Sequence, residues 1–184
     1  MTDQQFNDCL VRIRNKDKSG LHEIYEEYIS FIYHVVLDIV KNRENAEDIT
    51  SEFFIKLWDR SDGYRPGSGH KGYMATIARN MAIDHIRKYR REELTAGMED
   101  EDAPPDEIAS AESGSSSPEE EVVATLSVEQ ALDRLKPVYR QIIIMKVLSD
   151  MTFKEIASVL EMPMGTVTWN YQEAIKQLRR FGYD

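Results

Sequence analysis

The sequence has very little cysteine and no long hydrophobic run. Its 184 residues include one cysteine, Cys9, so no internal disulfide can form and we expect a reducing compartment. The most apolar stretch, 31–40, is too short to cross a bilayer and contains His34 and Asp38. Residues 1–9 are polar, so we expect no signal peptide. These absences predict a cytoplasmic protein with no direct membrane insertion.

The acidic side chains are concentrated in one part of the chain. The formal net charge is −10, yet residues 92–121 carry twelve acidic side chains and no basic one, which leaves +2 for the remainder. This segment is rich in Ser, Gly, Ala and Pro and has almost no large apolar groups, so burial cannot offset the entropy of ordering it. We therefore predict a flexible acidic linker over 92–121 between two small helical domains, 1–91 and 122–184. The folded parts can then carry local basic faces.

Apolar residues at helical spacing predict an all-α fold. In the N-terminal part we expect a break at Ser19-Gly20, a glycine-rich loop at 61–72, and helices over 3–16, 21–41, 43–60 and 74–91. In the C-terminal part we expect helices over 126–135, 138–148, 153–160 and 163–180. Thr152 and Glu155 have the spacing of a capping box. The two short helices that follow, joined by a brief turn, predict a helix-turn-helix.

The helix over 74–91 carries a single polar stripe opposite its apolar face. Asn80, Asp84, Arg87 and Arg91 follow at i, i+4, i+7 and i+11. An amide followed by arginines is suited to gripping phosphates and reading base edges. Charge periodicity alone favours an ordinary solvated helix face, so a role in nucleic-acid binding depends on the rest of the chain.

Two long motifs, one in each predicted domain, resemble those of a known family. Residues 46–58, AEDITSEFFIKLW, and 73–87, YMATIARNMAIDHIR, resemble region 2 of bacterial sigma factors, and the extracytoplasmic-function (ECF) class is the most similar. Residues 152–160, TFKEIASVL, followed by MPMGTV, resemble the region 4 helix-turn-helix of the same class. The resemblance implies a non-enzymatic protein that binds core RNA polymerase, directs it to promoters and helps to melt the −10 element.

The resemblance also implies three groups of site residues. The helix over 43–60 would dock on the β′ clamp of polymerase, and the positions carried over are Asp48, Glu52, Lys56, Leu57 and Trp58. The loop 61–72 would capture a flipped non-template base, and the −10 residues would be Tyr64, Arg79, Asn80, Asp84, Arg87, Lys88 and Arg91. The −35 residues would be Thr166, Thr168, Trp169, Asn170 and Lys176. The implied partners are promoter DNA, the β′ clamp and β flap of core polymerase, and an anti-sigma factor, and we expect no metal or cofactor.

The last helix departs from the family pattern after Val167. Members of the class typically have a Lys, a Ser and an Arg here and another basic residue three positions later. This sequence has Thr168, Trp169, Asn170 and Glu173, so three expected cations are missing. Either Trp169 and Asn170 read an unusual −35 element through apolar contact and an amide–adenine pair, or region 4 binds DNA weakly and serves mainly as a docking surface. We favour weak binding, because an exposed tryptophan among neutral residues suits a protein interface. Cations at the helix end, Lys176, Arg179 and Arg180, could still hold the DNA backbone.

Other functions fit parts of the sequence. A regulator that binds DNA without polymerase has no need for a docking helix over 43–60, and a helical adaptor leaves the helix-turn-helix unexplained. An enzyme is disfavoured, because neighbours such as Asp84 and His85 point about 100° apart on a helix and cannot share a metal. We expect His85 to be a core histidine. Ile55 and Leu57 are both predicted to supply apolar contacts.

Overall fold

The computed structural model describes residues 1–67, 69–96 and 128–182. Within these ranges the chain forms eight α-helices and no strand, which confirms the all-α prediction. The N-terminal helices are α1 (Asp3–Arg14), α2 (Lys18–Val40), α3 (Arg43–Asp59) and α4 (His70–Ala96), with a short 3-10 turn at Ser61–Gly63. The C-terminal helices are α5 (Val128–Asp133), α6 (Pro137–Ser149), α7 (Phe153–Leu160) and α8 (Met164–Arg180).

Side-chain caps set several helix boundaries. Thr2 and Gln5 form a capping box at the start of α1, and Thr152 and Glu155 form the predicted one at the start of α7. The predicted break at Ser19-Gly20 is wrong, because Asp17 accepts a hydrogen bond from the Ser19 amide and so begins α2 before that pair. The break lies instead just after Arg14.

The N-terminal helices are built around α2, which packs against α1, α3 and α4. Phe6, Phe31, Phe53 and Met74 are among the largest fully buried side chains, one from each of the four helices. At the crossing of α1 and α2, a Cβ atom at Gly20 would overlap the carbonyl oxygen of Cys9. The absence of a side chain at this position is what allows the two helices to pack so closely.

The C-terminal helices pack on the N-terminal ones, with α6 against α2 and α7 against α4. Apolar side chains from both parts, such as Val35 and Ile144, belong to one continuous core. Across this interface the buried Arg140 donates from Nε to a carboxylate oxygen of the buried Asp38. A smaller apolar cluster joins α5, α6 and α8.

Both predicted boundaries of α4 are also wrong. The helix begins at His70, inside the predicted loop 61–72, and continues through Glu92 to Ala96, inside the predicted linker. The remainder of the predicted linker, 97–121, lies outside the described residues. In the part of the chain that the structure describes, no helix combines the length and apolar character needed to cross a membrane.

Candidate nucleic-acid interface

The polar stripe of α4 lies on the surface, as predicted. Asn80, Asp84, Arg87, Lys88 and Arg91 are all exposed. A carboxylate oxygen of Asp84 lies 3.6 Å from the Arg87 guanidinium, and both side chains are mostly in solvent. An ion pair this exposed holds its partners weakly, so Arg87 is available to other anions such as phosphates.

The stripe leads into a groove between the end of α3, the 3-10 turn and α4. The groove has a volume of about 560 Å³. Its walls combine apolar and aromatic side chains, among them Leu57, Tyr73 and Ile77, with the polar groups Lys56, Asn80 and Asp84. Half of its twelve lining residues are polar or charged, Asp59, Arg60 and Asp62 included, and a cleft of this volume is suited to a small ligand. It joins residues predicted to contact DNA with two predicted to contact polymerase.

Tyr64 lies beneath α1 rather than in the groove. Its ring packs edge-on against Phe6, with centroids 5.0 Å apart, and against Tyr73 at 5.3 Å. Only 6% of Tyr64 is exposed, and burial, followed by the nearby Asp3 carboxylate, raises the pKa of Tyr64 to about 12. Tyr64 therefore reaches the groove only indirectly, through Tyr73.

A buried hydrogen-bonded cluster joins α1, α2 and the start of α4. The Asp3 carboxylate accepts from the His70 backbone N–H at 3.0 Å and also pairs with ring Nδ1. On the other side of the ring, Nε2 lies 2.6 Å from the Tyr28 hydroxyl. The hydrogen bonds from His70 lower the pKa of Asp3, and burial lowers the pKa of His70. A neutral imidazole satisfies both contacts, with Nδ1–H donating to Asp3 and Nε2 accepting from Tyr28.

Arg79 is separated from the other predicted −10 residues. Its side chain is half-buried and lines a small cavity with Asp38, Gln141 and Ile144, where α6 covers this side of α4. Its Nε is buried and has no hydrogen-bonding partner among the described residues. Arg79 therefore faces the C-terminal helices in this arrangement, while Asn80 faces solvent.

On α3 the structure exchanges the expected places of two apolar residues. Asp48, Glu52 and Lys56 are exposed as expected for a docking face, but Leu57 is only 3% exposed and belongs to the core. Ile55, predicted to supply apolar core contacts, is 62% exposed. The exposure of Ile55 could have been predicted from helical spacing. Ile55 follows Asp48 at i+7 and Glu52 at i+3, so it lies on the same face as these two residues.

Trp58 is half-buried at the end of α3. The Lys16 ammonium lies 5.5 Å from its ring centroid, within the range of a cation–π contact. The indole is therefore partly covered by the segment between α1 and α2. Of the predicted polymerase contacts, Trp58 is the one aromatic side chain, and a part of it remains accessible.

The helix-turn-helix forms as predicted from α7 and α8. Glu161, with φ 54°, ends α7, and the rings of Phe153 and Tyr171 pack at 5.2 Å between the two helices. On α8, Thr166 is exposed and Trp169 is 57% exposed. Thr168 is half-buried, with its hydroxyl donating to the Met164 carbonyl oxygen at 3.0 Å.

The prediction that Asn170 faces outward is wrong, since it is only 6% exposed. Asn170 lies on the buried seam of α8 with Val167 and Ala174, at i+3 and i+7 from the valine. Lys176 is exposed, but its ammonium pairs with the Glu173 carboxylate at 2.5 Å. His85 is half-buried rather than part of the core. The outer face of α8 is therefore apolar at its centre, with Lys176 paired to Glu173 and with Arg179 and Arg180 exposed at its end.

Comparison with known proteins gives two matches in the order of the helices. Residues 24–92 match the family model for sigma-70 region 2, and residues 125–178 match that for sigma-70 region 4. The chain belongs to the sigma-70 family. Sigma factors are transcription initiation factors, which confirms the prediction of a non-enzymatic protein.

The relatives place this sigma factor in the ECF class. It is 26% identical over 185 residues to the ECF RNA polymerase sigma factor SigW of Bacillus subtilis, covering 93% of each chain. It is 27% identical over 162 residues to the ECF sigma factor SigE of Mycolicibacterium smegmatis, covering 86% of this chain but 60% of that one. The chain therefore spans less than two thirds of the length of SigE.

A solved structure agrees in fold. The sigma factor RpoE of Bartonella quintana, crystallised with the anti-sigma factor NepR, superposes with a TM-score of 0.61 at 20% identity. The match covers 87% of this chain and 94% of that one. The helical architecture described above is thus that of a known sigma factor.

Proposed function

We propose that this sigma factor binds core RNA polymerase, directs it to promoters and uses α4 and the adjoining groove to engage and melt the −10 element. The observation that carries this function is the continuity between the exposed stripe and the groove. A stripe ending in arginines needs only the phosphates and edges of a duplex. An apolar groove beside it suits a base that has left the stack.

Melting by this route needs no chemical step. A base that stacks on aromatic or apolar side chains gains about 1–3 kcal/mol, which offsets the cost of leaving the duplex. Tyr73 and Ile77 supply such surfaces, and Asn80 supplies both a donor and an acceptor at the edge. The arginines farther along α4 hold the backbone so that the base reaches the groove.

We assign polymerase docking to the exposed face of α3. Asp48, Glu52 and Lys56 surround Ile55, an apolar residue in a polar rim, which is the composition of a small protein interface. The β′ clamp is the proposed partner of this face, and the β flap that of the C-terminal helices. In this assignment residues 1–96, to the end of α4, act as the region 2 unit, 122–184 as the region 4 unit, and 97–121 as the linker between them.

For α8 we propose weak binding to the −35 element. Burial of Asn170 removes the amide that would pair with adenine, and the Glu173 carboxylate occupies Lys176. Thr166 and Trp169 remain as exposed contacts, together with Lys176 in its ion pair. An anti-sigma factor is a second proposed partner of the chain, as NepR is of RpoE. The proposed location is the cytoplasm, where polymerase and promoter are found together.

The experiment fills the groove. Ile77→Trp places a bulky ring on its wall, so we expect promoter opening by the reconstituted holoenzyme to fall by about 5- to 150-fold, the value of one lost base-stacking contact. Opening is measured by permanganate reactivity of −10 thymines, using a promoter selected from a random library. Affinity for core polymerase should stay within about twofold, since the α3 docking face is unchanged.

The matched control is Thr76→Trp, which adds the same side chain at the adjacent exposed position outside the groove. Circular dichroism establishes that both variants are folded. Normal opening by Ile77→Trp would remove the groove from the mechanism. Equal loss in both variants would show that a bulky side chain on α4, rather than occupation of the groove, is responsible.

A further inference from the structure

The helix α1 lies outside the residues that match sigma-70 region 2, yet it contacts both ends of the groove-forming loop. The match begins at residue 24, whereas α1 covers Asp3–Arg14. We propose that α1 is a positioning element for the −10 groove, and that Asp3 fixes the loop 61–69 by holding His70. This inference rests on the proposed function of the groove, and it adds that α1 sets the shape of the groove.

The first contact is at the end of the loop, where α4 begins. The Asp3 carboxylate holds both the backbone N–H and the ring Nδ1–H of His70, and Tyr28 holds the opposite nitrogen. His70 is only 4% exposed, so its hydrogen bond with Tyr28 is buried, whereas the Asp3 side chain is 44% exposed and its two contacts with His70 are partly buried. The residue at which the loop joins α4 is therefore held by a side chain of α1.

The second contact is at the start of the loop. Phe6 of α1 stacks on the His70 ring at 5.0 Å and packs edge-on against Tyr64 at the same distance. Tyr64 in turn contacts Tyr73, whose ring lines the groove. A Cβ atom at Gly63 would lie 3.0 Å from the Tyr73 hydroxyl, so the loop backbone packs directly on that ring. These contacts connect α1 to the groove wall in two steps.

Two glycines give the loop wide conformational freedom. Gly67 and Gly69 have φ of +82° and +84°, and a chain with glycine at such positions has many alternative conformations once its ends are released. A site whose wall is held before the ligand arrives binds more tightly than one that must be ordered on binding. Contacts that hold the loop ends are thus expected to act on base capture more than on overall stability.

The experiment compares three variants of the full chain in reconstituted holoenzyme. Asp3→Ala removes both acceptor contacts to His70, so we expect affinity for a single-stranded non-template −10 oligonucleotide to fall by about 5- to 10-fold. Asp3→Asn keeps a carbonyl oxygen that accepts from both N–H groups, so we expect most of the affinity to return. Affinity for core polymerase should change by less than about twofold in either variant.

The matched control is Arg12→Ala, which removes a salt bridge between α1 and α2 that does not involve Asp3. The Arg12 guanidinium contacts the Glu23 carboxylate at 2.7 Å, and its other partners are Ser19 and Cys9, so oligonucleotide binding should be unaffected. Hydrogen exchange of the amides at 61–67 provides a second readout, and it should accelerate in Asp3→Ala alone.

Three outcomes contradict the inference in different ways. Unchanged oligonucleotide affinity in Asp3→Ala would overturn it directly. Equal losses in Asp3→Ala and Arg12→Ala, in proportion to melting temperature, would reduce α1 to a general stabilising role. Failure of the unaltered holoenzyme to bind the −10 oligonucleotide while still binding core would overturn the proposed groove function, and with it this inference.

Discussion

The exposed faces of α4 and α8 differ in how they can hold DNA. On α4, Arg87, Lys88 and Arg91 are exposed along one stripe, and the nearest carboxylate to Arg87 is 3.6 Å away in solvent. On α8, the centre of the face is Trp169, and Lys176 is paired with Glu173 at 2.5 Å. Since affinity for DNA depends mainly on phosphate contacts, we expect α4 to supply most of the binding and α8 to contribute mainly through Arg179 and Arg180, the exposed cations at its end.

The two helices also differ in what adjoins the reading face. The α4 stripe ends at a groove whose edge includes Asn80, so it has a place for an unpaired base. The only asparagine of α8, Asn170, is buried in the seam of the helix-turn-helix. Sequence readout in this protein is therefore expected to depend on the −10 element more than on the −35 element.

The largest effect is expected from removing the amide on α4. Asn80→Ala should reduce the discrimination between bases at one position of the −10 element by about 1–3 kcal/mol, because one base contact is lost. Discrimination at the other positions should be almost unchanged. Affinities of the holoenzyme for a set of −10 variants measure this. The matched change on α8 is Gln172→Ala, an exposed amide that should have no such effect. A similar loss from both variants would break the distinction between the helices.

A smaller effect is expected from single cations. Arg87→Ala should weaken promoter binding uniformly across sequences and reduce the salt slope by about 0.9, the amount for one duplex phosphate contact. Lys176→Ala should leave the slope nearly unchanged, because Glu173 already neutralises that ammonium. Affinity measured at several salt concentrations distinguishes the two cases. An equal change in slope would mean that α8 also carries phosphate contacts.

The smallest effect is expected from adding a cation to α8. Glu173→Arg removes the carboxylate that pairs with Lys176 and introduces a second positive charge, so promoter affinity should rise by about 2- to 5-fold with an intact −35 region. Glu26→Arg adds the same charge on the surface of α2 and serves as the control. A gain in both variants would reflect net charge alone, and no gain in either would place α8 away from the DNA backbone.

Helix positions were largely predictable from the sequence, because apolar spacing and caps are local signals. The predicted bounds of α7 agree with the structure, and those of α3 and α8 differ by one residue at one end. The stripe from Asn80 to Arg91 was also predictable, since exposure follows from helical periodicity once the apolar face is known. The groove beside it was not, because it depends on how the end of α3 approaches α4.

The errors at Asn170 and Leu57 have a common cause. Both predictions gave too little weight to the position of the residue on its helix relative to the buried face. Asn170 was placed outside because it is polar, although its spacing from Val167 and Ala174 puts it on the buried seam. Leu57 was carried over as a polymerase contact from the resemblance to region 2, although it follows Phe53 by one helical turn and so lies on the buried face of α3. The contact between Asp3 and His70 spans 67 residues, so no local pattern could indicate it.

The contact between α6 and α2 is intramolecular, so any other ligand of either face must compete with it. Asp38, with its side chain 1% exposed, meets an arginine 102 residues along the chain. Two surfaces on one chain see each other at an effective concentration, which is on the order of millimolar for short flexible linkers. Dilution of the protein does not change this value. A partner from solution competes at its own concentration, while Asp38 keeps its 2.7 Å contact with the Lys41 ammonium and Arg140 its 3.1 Å contact with Asp133. Lowering the protein concentration therefore leaves the two faces together. A ligand separates them only when its affinity for one face and its concentration together outweigh the affinity and effective concentration of the opposite face.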